Sequence, residues 1–134
     1  MSKVLIVSNR VPTTTYRDPV ECIWFSIAKK FNLSVTRSPD VYAAYDGKGM
    51  LTFGDQNTLD ADDCLAQLIF HEICHWITNG VKTYNEMDWG FEATMHVEWR
   101  EYPAVRLQGA LAQPHGLRNF FRPTTNMRTY YDSV

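Results

Sequence analysis

The stretch Cys64-Leu65-Ala66-Gln67-Leu68-Ile69-Phe70-His71-Glu72-Ile73-Cys74-His75-Trp76-Ile77, closed by Asn79-Gly80, decides the fold. Leu65, Leu68, Ile69, Ile73, Trp76 and Ile77 recur at helical spacing and cover a wide arc, so the segment reads as a central, mostly buried helix. Asn79-Gly80 is a usual C-cap pair, and Thr58-Leu59-Asp60-Ala61-Asp62-Asp63 ahead of it supplies cap-type residues and acids suited to a helix N-terminus. In the middle of the helix, His71, Glu72 and His75 interrupt the apolar run.

Those three residues form an HExxH pattern. With ~3.6 residues per turn, His71 and His75 stand about 40° apart on the helix surface, so both imidazoles reach one metal ion. Glu72 is rotated by about 100° from His71, which sets its carboxylate beside such an ion rather than on it, where it can hold and deprotonate water. The alternative is a structural polar trio. Two His and a Glu in an apolar helix carry a desolvation cost unless something pairs with them, and a metal ion satisfies all three at once.

A catalytic zinc normally takes three protein ligands and keeps a position open. The downstream candidates for the third are Glu86, Asp88, Glu92, His96, Glu98 and Glu101. Glu101 leads, because it opens a later helix on which Glu101, Ala104/Val105, Gln108 and Ala112 form one face small or apolar enough to pack against the HExxH helix. Glu98, one turn earlier on a similar face, comes next, then Glu92, and then His96 or Asp88. Asp88 can also orient a ligand imidazole or cap a turn.

Working outward, Val4-Leu5-Ile6-Val7 suits a buried strand, and residues 10–17 read as a loop. Asp18-Pro19-Val20-Glu21 has an N-cap acid, Pro at the first helical position and Glu at N3, predicting a helix over residues 19–31 that ends near Asn32. Residues 33–37, 41–45 and 49–53 are rich in strand formers, with turn chemistry in Asp46-Gly47-Lys48-Gly49, so a small, largely antiparallel sheet is expected. Residues 81–95 read as irregular. A third helix is expected over residues 98–111, its start set by Pro103, which is tolerated only in a first turn. The last twenty residues, from Pro114, read as mainly irregular. The expected fold is α+β: a small, mostly antiparallel sheet packed on a central HExxH helix with two further helices.

The 134 residues, 45% hydrophobic and 21% charged, fit one domain over residues 1–134. A formal charge of −2 is too balanced for a protein that grips phosphate backbones. The tail does mix Arg118, Arg122 and Arg128 with Phe120, Phe121, Tyr130 and Tyr131, but these aromatics read as a cover for the core rather than a nucleic-acid platform. No run approaches the ~20 apolar residues of a membrane span, and the opening run is too short for a signal peptide, so the expected location is cytoplasmic and no membrane partner is expected. Cys22, Cys64 and Cys74 are an odd set without CxxC spacing, expected to be reduced thiols. Cys74 beside His75 is not read as a nucleophile and base, because neighbours on a helix point apart. His96, His115, Tyr84, Tyr102 and Arg106 are possible oxyanion donors, read instead as structural.

Over residues 65–112, the HExxH helix followed by a Glu on a later helix resembles the gluzincin class of zinc metallopeptidases, at minimal size. The resemblance implies that His71, His75 and a later Glu, here Glu101, bind Zn2+. It also implies that Glu72 is the catalytic residue activating water for attack on a carbonyl, and that the substrate is a peptide or protein. The strands ending at Phe53 would supply an edge strand for an extended peptide. A second set of residues, His71-Glu72-Ile73-Cys74-His75-Trp76, then Asp88-Trp89-Gly90, then a Glu ahead of Leu107-Gln108-Gly109-Ala110-Leu111, is similar in order to the elongation factor P hydroxylases. That resemblance implies Fe2+ on the same ligands, since two His and one carboxylate also serve iron(II) oxygenases. The expectation is a metal-dependent hydrolase. An iron(II) hydroxylase is the alternative, and a non-catalytic metal-stabilised binding domain is the third reading.

Overall fold

The computed structural model describes residues 18–59, 63–91, 99–123 and 125–134. The expected strand at residues 4–7 and loop at 10–17 lie outside them, as do Glu92, His96 and Glu98. The first helix, α1 (Pro19–Lys30), starts as its sequence dictates: the Asp18 carboxylate accepts the Val20 N–H at 2.9 Å, Pro19 and Glu21 fall in the first turn, and Lys29 and Lys30 close the last. Asn32, with φ 59°, turns the chain into the sheet.

Three strands follow, β1 (Ser34–Ser38), β2 (Ala43–Tyr45) and β3 (Met50–Gly54), in the spatial order β1-β3-β2. Asp46 Oδ1 accepts the N–H groups of Lys48 and Met50, which tightens the turn between β2 and β3 and returns β3 antiparallel to β2, with Ala43 opposite Phe53. β3 then lies parallel to β1, with Val35 opposite Leu51. The α+β class holds, but the sheet is mixed rather than mostly antiparallel, because β3 inserts between the two strands that precede it. β3, ending just after Phe53, is therefore the central strand, and of the two turn-linked strands β2 is the one at an edge of the sheet among the described residues.

Leu51 and Phe53 point from β3 into a core shared with Ala28 and Leu33, with Leu65, Leu68, Ile69 and Ile73, and with Trp89. These α2 side chains belong to the long helix α2 (Leu65–Asn79), whose N-cap is Cys64, accepting the Gln67 N–H on Sγ, and whose C-cap is Gly80. Leu65, Leu68, Ile69 and Ile73 of the predicted arc are buried, Trp76 is half-buried and Ile77 is 46% exposed.

The third helix, α3 (Glu101–Ala112), begins later than the expected 98–99, with Trp99 and Arg100 in a turn, because Pro103 must fall in its first turn. Its buried side is Ala104, Val105, Gln108 and Ala112, the predicted face. Ala104 and Ala112 pack with Phe70 and Cys74 of α2 and with Phe121 from the tail, so small side chains let the two helices approach closely.

The tail is more ordered than expected. A 3₁₀ turn (Gln113–His115) is followed by a helix, α4 (Thr125–Ser133). Met127 and Tyr131, four residues apart, put one buried face of α4 against Val105. Arg118 donates to the Tyr131 carbonyl at 2.6 Å, and the Tyr131 hydroxyl donates back to the Arg118 carbonyl at 2.8 Å. Phe121 packs on Phe70 and Trp24, the core-covering role read from the sequence, whereas Phe120 is 45% exposed. All three cysteines are free. No helix among the described residues is long and apolar enough to cross a membrane.

Candidate metal centre

α2 presents His71 and His75 one turn apart, their rings at 86° to each other and their Nε2 atoms 3.0 Å apart. The packed α3 delivers Glu101 from its first turn. Glu101 Oε2 lies 3.1 Å from His71 Nε2, and Oε1 lies 2.9 Å from His75 Nε2. The three side chains therefore place one ligand atom each within 4.8 Å of the others, a group able to hold a metal ion. Of the three sequence candidates for the third position that lie among the described residues, Glu101 is the one brought there; Asp88 is engaged elsewhere, and Glu86 stands outside the group.

Gln108 fixes the first imidazole. Its Nε2 faces the Phe121 carbonyl, which can only accept, so the amide must donate there and turn Oε1 toward His71 Nδ1 at 2.8 Å. That oxygen can only accept, so His71 Nδ1 carries a proton and, in the neutral ring, Nε2 offers its lone pair to the centre. His75, 2% exposed, is set by packing against the edge of Phe91 at 5.0 Å; its Nδ1 is buried with no hydrogen-bond partner among the described residues.

Two lone-pair nitrogens and a carboxylate aimed at one point repel each other unless a cation lies among them. In the metal-free chain a proton takes that part. Burial alone would push the His71 imidazolium down, but the hydrogen bond and charge of Glu101, the charge of Glu72 and the Gln108 contact outweigh it and push the pKa up to about 9. Burial would likewise raise the Glu101 carboxyl, yet the hydrogen bonds and charges of His71 and His75 hold it well below the usual carboxylate range. The donor set of two imidazoles and one carboxylate fits a divalent ion such as zinc or iron(II).

Glu72 is held beside the trio by a residue that the sequence reading quoted within Asp88-Trp89-Gly90 but gave no role. The indole Nε1–H of Trp89 donates to Glu72 Oε2 at 2.8 Å. Trp89 lies in a short 3₁₀-like turn (Met87–Gly90) whose backbone is left-handed over three residues: φ is 48° at Asp88, 58° at Trp89 and 77° at Gly90. Left-handed backbone at a residue with a side chain costs about 1–3 kcal/mol. Burying an indole of roughly 200 Å² contributes about 5 kcal/mol, of the same order as that cost summed over Asp88 and Trp89. Further ties hold the turn. Trp89 stacks on Tyr45 with centroids 4.0 Å apart, and Asp88 Oδ1 accepts the Tyr45 N–H at 2.8 Å. Asp88 is thus the cap of a strand end and not a partner of a ligand imidazole. Arg100 donates to the Trp89 and Gly90 carbonyls at 3.4 and 3.1 Å.

The other sequence candidates among the described residues are engaged elsewhere or exposed. Tyr84 stacks on Trp76, Tyr102 meets Tyr130 edge-on, and Arg106 and His115 are exposed. Burial pushes the Cys74 thiol up to about 12, which leaves it an inert packing residue. Trp89 and Gln108 had one legible signal each: a large aromatic with a polar edge inside turn chemistry, and a glutamine on the otherwise apolar face of α3. Comparisons of the chain with family models, curated proteins and solved structures give no match.

Proposed function

We propose that the chain is a metal-dependent hydrolase of amide bonds, in which His71, His75 and Glu101 hold one divalent ion, zinc by expectation, and Glu72 is the general base. The observation that carries this reading is the convergence of two imidazole Nε2 atoms from α2 and a carboxylate from α3 within 4.8 Å, with a second carboxylate, Glu72, next to His71 on α2 and anchored by Trp89. A bound ion supplies Lewis acidity, lowering the pKa of water and polarising a carbonyl oxygen. The protein does the rest. Glu72, with Oε2 taken by the indole, accepts a proton on Oε1 from the attacking water and passes it to the leaving nitrogen. Gln108 keeps the His71 lone pair directed at the centre. Peptides or proteins are the substrate class, and the three thiols suit a reducing compartment such as the cytoplasm.

A second reading, an iron(II) hydroxylase on the same ligands, has its own supporting observation. The three segments of the hydroxylase resemblance meet at this centre: His71 and His75 from the first, Trp89 on Glu72 from the second, and Glu101 with Gln108 from the third.

The test is elemental analysis of protein purified without added metal, followed by turnover of fluorogenic peptides. The hydrolase reading expects zinc, and Glu72→Gln should retain it while losing about 10²–10⁴-fold in rate. Full turnover in Glu72→Gln ends the proposed mechanism. Iron with dioxygen consumption selects the hydroxylase, and an ion held by protein ligands alone, without turnover, selects the binding domain.

A further inference from the structure

We infer that Trp89 is a positioning residue for Glu72, and that the left-handed turn of Asp88, Trp89 and Gly90 is the device that aims it. The inference rests on the proposed role of Glu72 as base. A glutamate on a helix surface samples many rotamers, and a base must be held in one of them. Here a charge-assisted hydrogen bond makes the choice, Trp89 Nε1–H to Glu72 Oε2 at 2.8 Å.

Packing alone does not account for the residue. A phenylalanine or tyrosine could also stack on Tyr45 and fill the core. Phenylalanine carries no donor, and tyrosine carries its hydroxyl at the far end of the ring's long axis, whereas the indole offers a donor on its side edge while its face stays on the neighbouring ring. Trp89 does both, stacked at 13° on Tyr45 with its donor edge on the carboxylate. It does so from a backbone conformation that bulky residues rarely adopt. The surroundings are built to sustain that conformation: Trp89 N–H donates to the Glu86 carbonyl at 3.1 Å, Phe91 N–H to the Asp88 carbonyl at 2.9 Å, and Asp88 is locked onto β2 through Tyr45. Arg100 completes the frame. It donates to the carbonyls of Trp89 and Gly90 and immediately precedes Glu101, so the base and the third carboxylate are referred to one scaffold.

The experiment uses the zinc-loaded full chain and acetohydroxamate, an oxygen chelator whose hydroxyl proton needs an acceptor beside the ion. Glu72→Gln should weaken its binding about tenfold or more, and Trp89→Phe, which keeps an aromatic on Tyr45, by several-fold while zinc binding is retained. In the Glu72→Gln background, Trp89→Phe should then have no further effect, because it acts through the carboxylate. Unchanged binding in Trp89→Phe, or the same loss on both backgrounds, overturns the positioning role and leaves the base assignment standing. A wild-type zinc protein that does not bind the hydroxamate overturns both. Because Trp89→Phe could fail to fold, the indole protons are read independently by NMR. Glu72→Gln should move the Trp89 Nε1–H resonance upfield and leave those of Trp24, Trp76 and Trp99 in place; no movement contradicts the inference.

Discussion

Gln108 receives the Nδ1–H of His71 at 2.8 Å and donates its own amide to the Phe121 carbonyl. One buried side chain on α3 therefore links the HExxH helix to the tail, and the polarity of each contact follows from the one before it. The carbonyl fixes the amide, the amide fixes the imidazole proton, and that proton fixes the lone pair presented to Glu101 and His75. The C-terminal segment thereby sets the protonation pattern of the centre.

Replacing Gln108 by Leu should lower metal affinity by about 10–100-fold, because the His71 tautomer is no longer specified. It should also cost about 1–3 kcal/mol of stability through the unpaired Phe121 carbonyl and His71 N–H. Chelator competition and urea unfolding measure the two losses separately. Full metal affinity in Gln108→Leu would show that the ring needs no such support.

The protons of the centre give opposite pH trends with and without metal. His71 rises from 6.5 to about 9 on folding, so its contribution to the metal-free fold is complete below pH 6.5 and is lost as pH climbs through about 9. Glu101 is lowered on folding from 4.5, so its contribution is present above pH 4.5 and is lost as pH falls through its depressed value. The metal-free chain should therefore gain most from the pair between pH 4.5 and 6.5 and weaken toward pH 9. Metal must displace the His71 proton, so its affinity should rise over that same upper interval. Calorimetry at pH 7 in two buffers of different ionisation heat should show close to one proton released per ion bound. Heats that do not depend on the buffer would contradict this protonation scheme.

The closeness of α2 and α3 depends on Ala104, fully buried against Phe70 and Cys74 one turn after Glu101. Ala104→Leu should destabilise the fold by about 1–3 kcal/mol and, by moving α3 outward, draw Glu101 away from both imidazoles. Thermal unfolding and metal affinity should fall together. A variant that lost stability but kept full affinity would mean that the carboxylate is not placed by this contact.

The helix that carries the trio was legible because apolar periodicity, a C-cap pair and HExxH spacing all agree over residues 64–80. Glu101 was legible because Pro103 pins the start of α3 and the apolar spacing from Ala104 to Ala112 fixes its inward face. Trp89 was not, because its reach to Glu72 depends on left-handed backbone at Asp88 and Trp89, which side-chain pattern does not encode. The parallel pairing of β1 with β3 was hidden for a similar reason: local turn chemistry specifies the β2–β3 hairpin but says nothing of which edge of it β1 will join. α4 escaped notice because, among its described side chains, Met127 and Tyr131 are the buried ones in a polar sequence, too little periodicity to stand above its flanks.

The central claim is that His71, His75 and Glu101 are metal ligands, and the most direct test is the metal stoichiometry of the full chain beside His75→Ala, measured by zinc titration against a chromophoric chelator. The account predicts one ion bound per wild-type chain and its loss in His75→Ala. A wild-type chain that takes up no zinc or iron(II), or a His75→Ala chain that binds as tightly as the wild type, would contradict it.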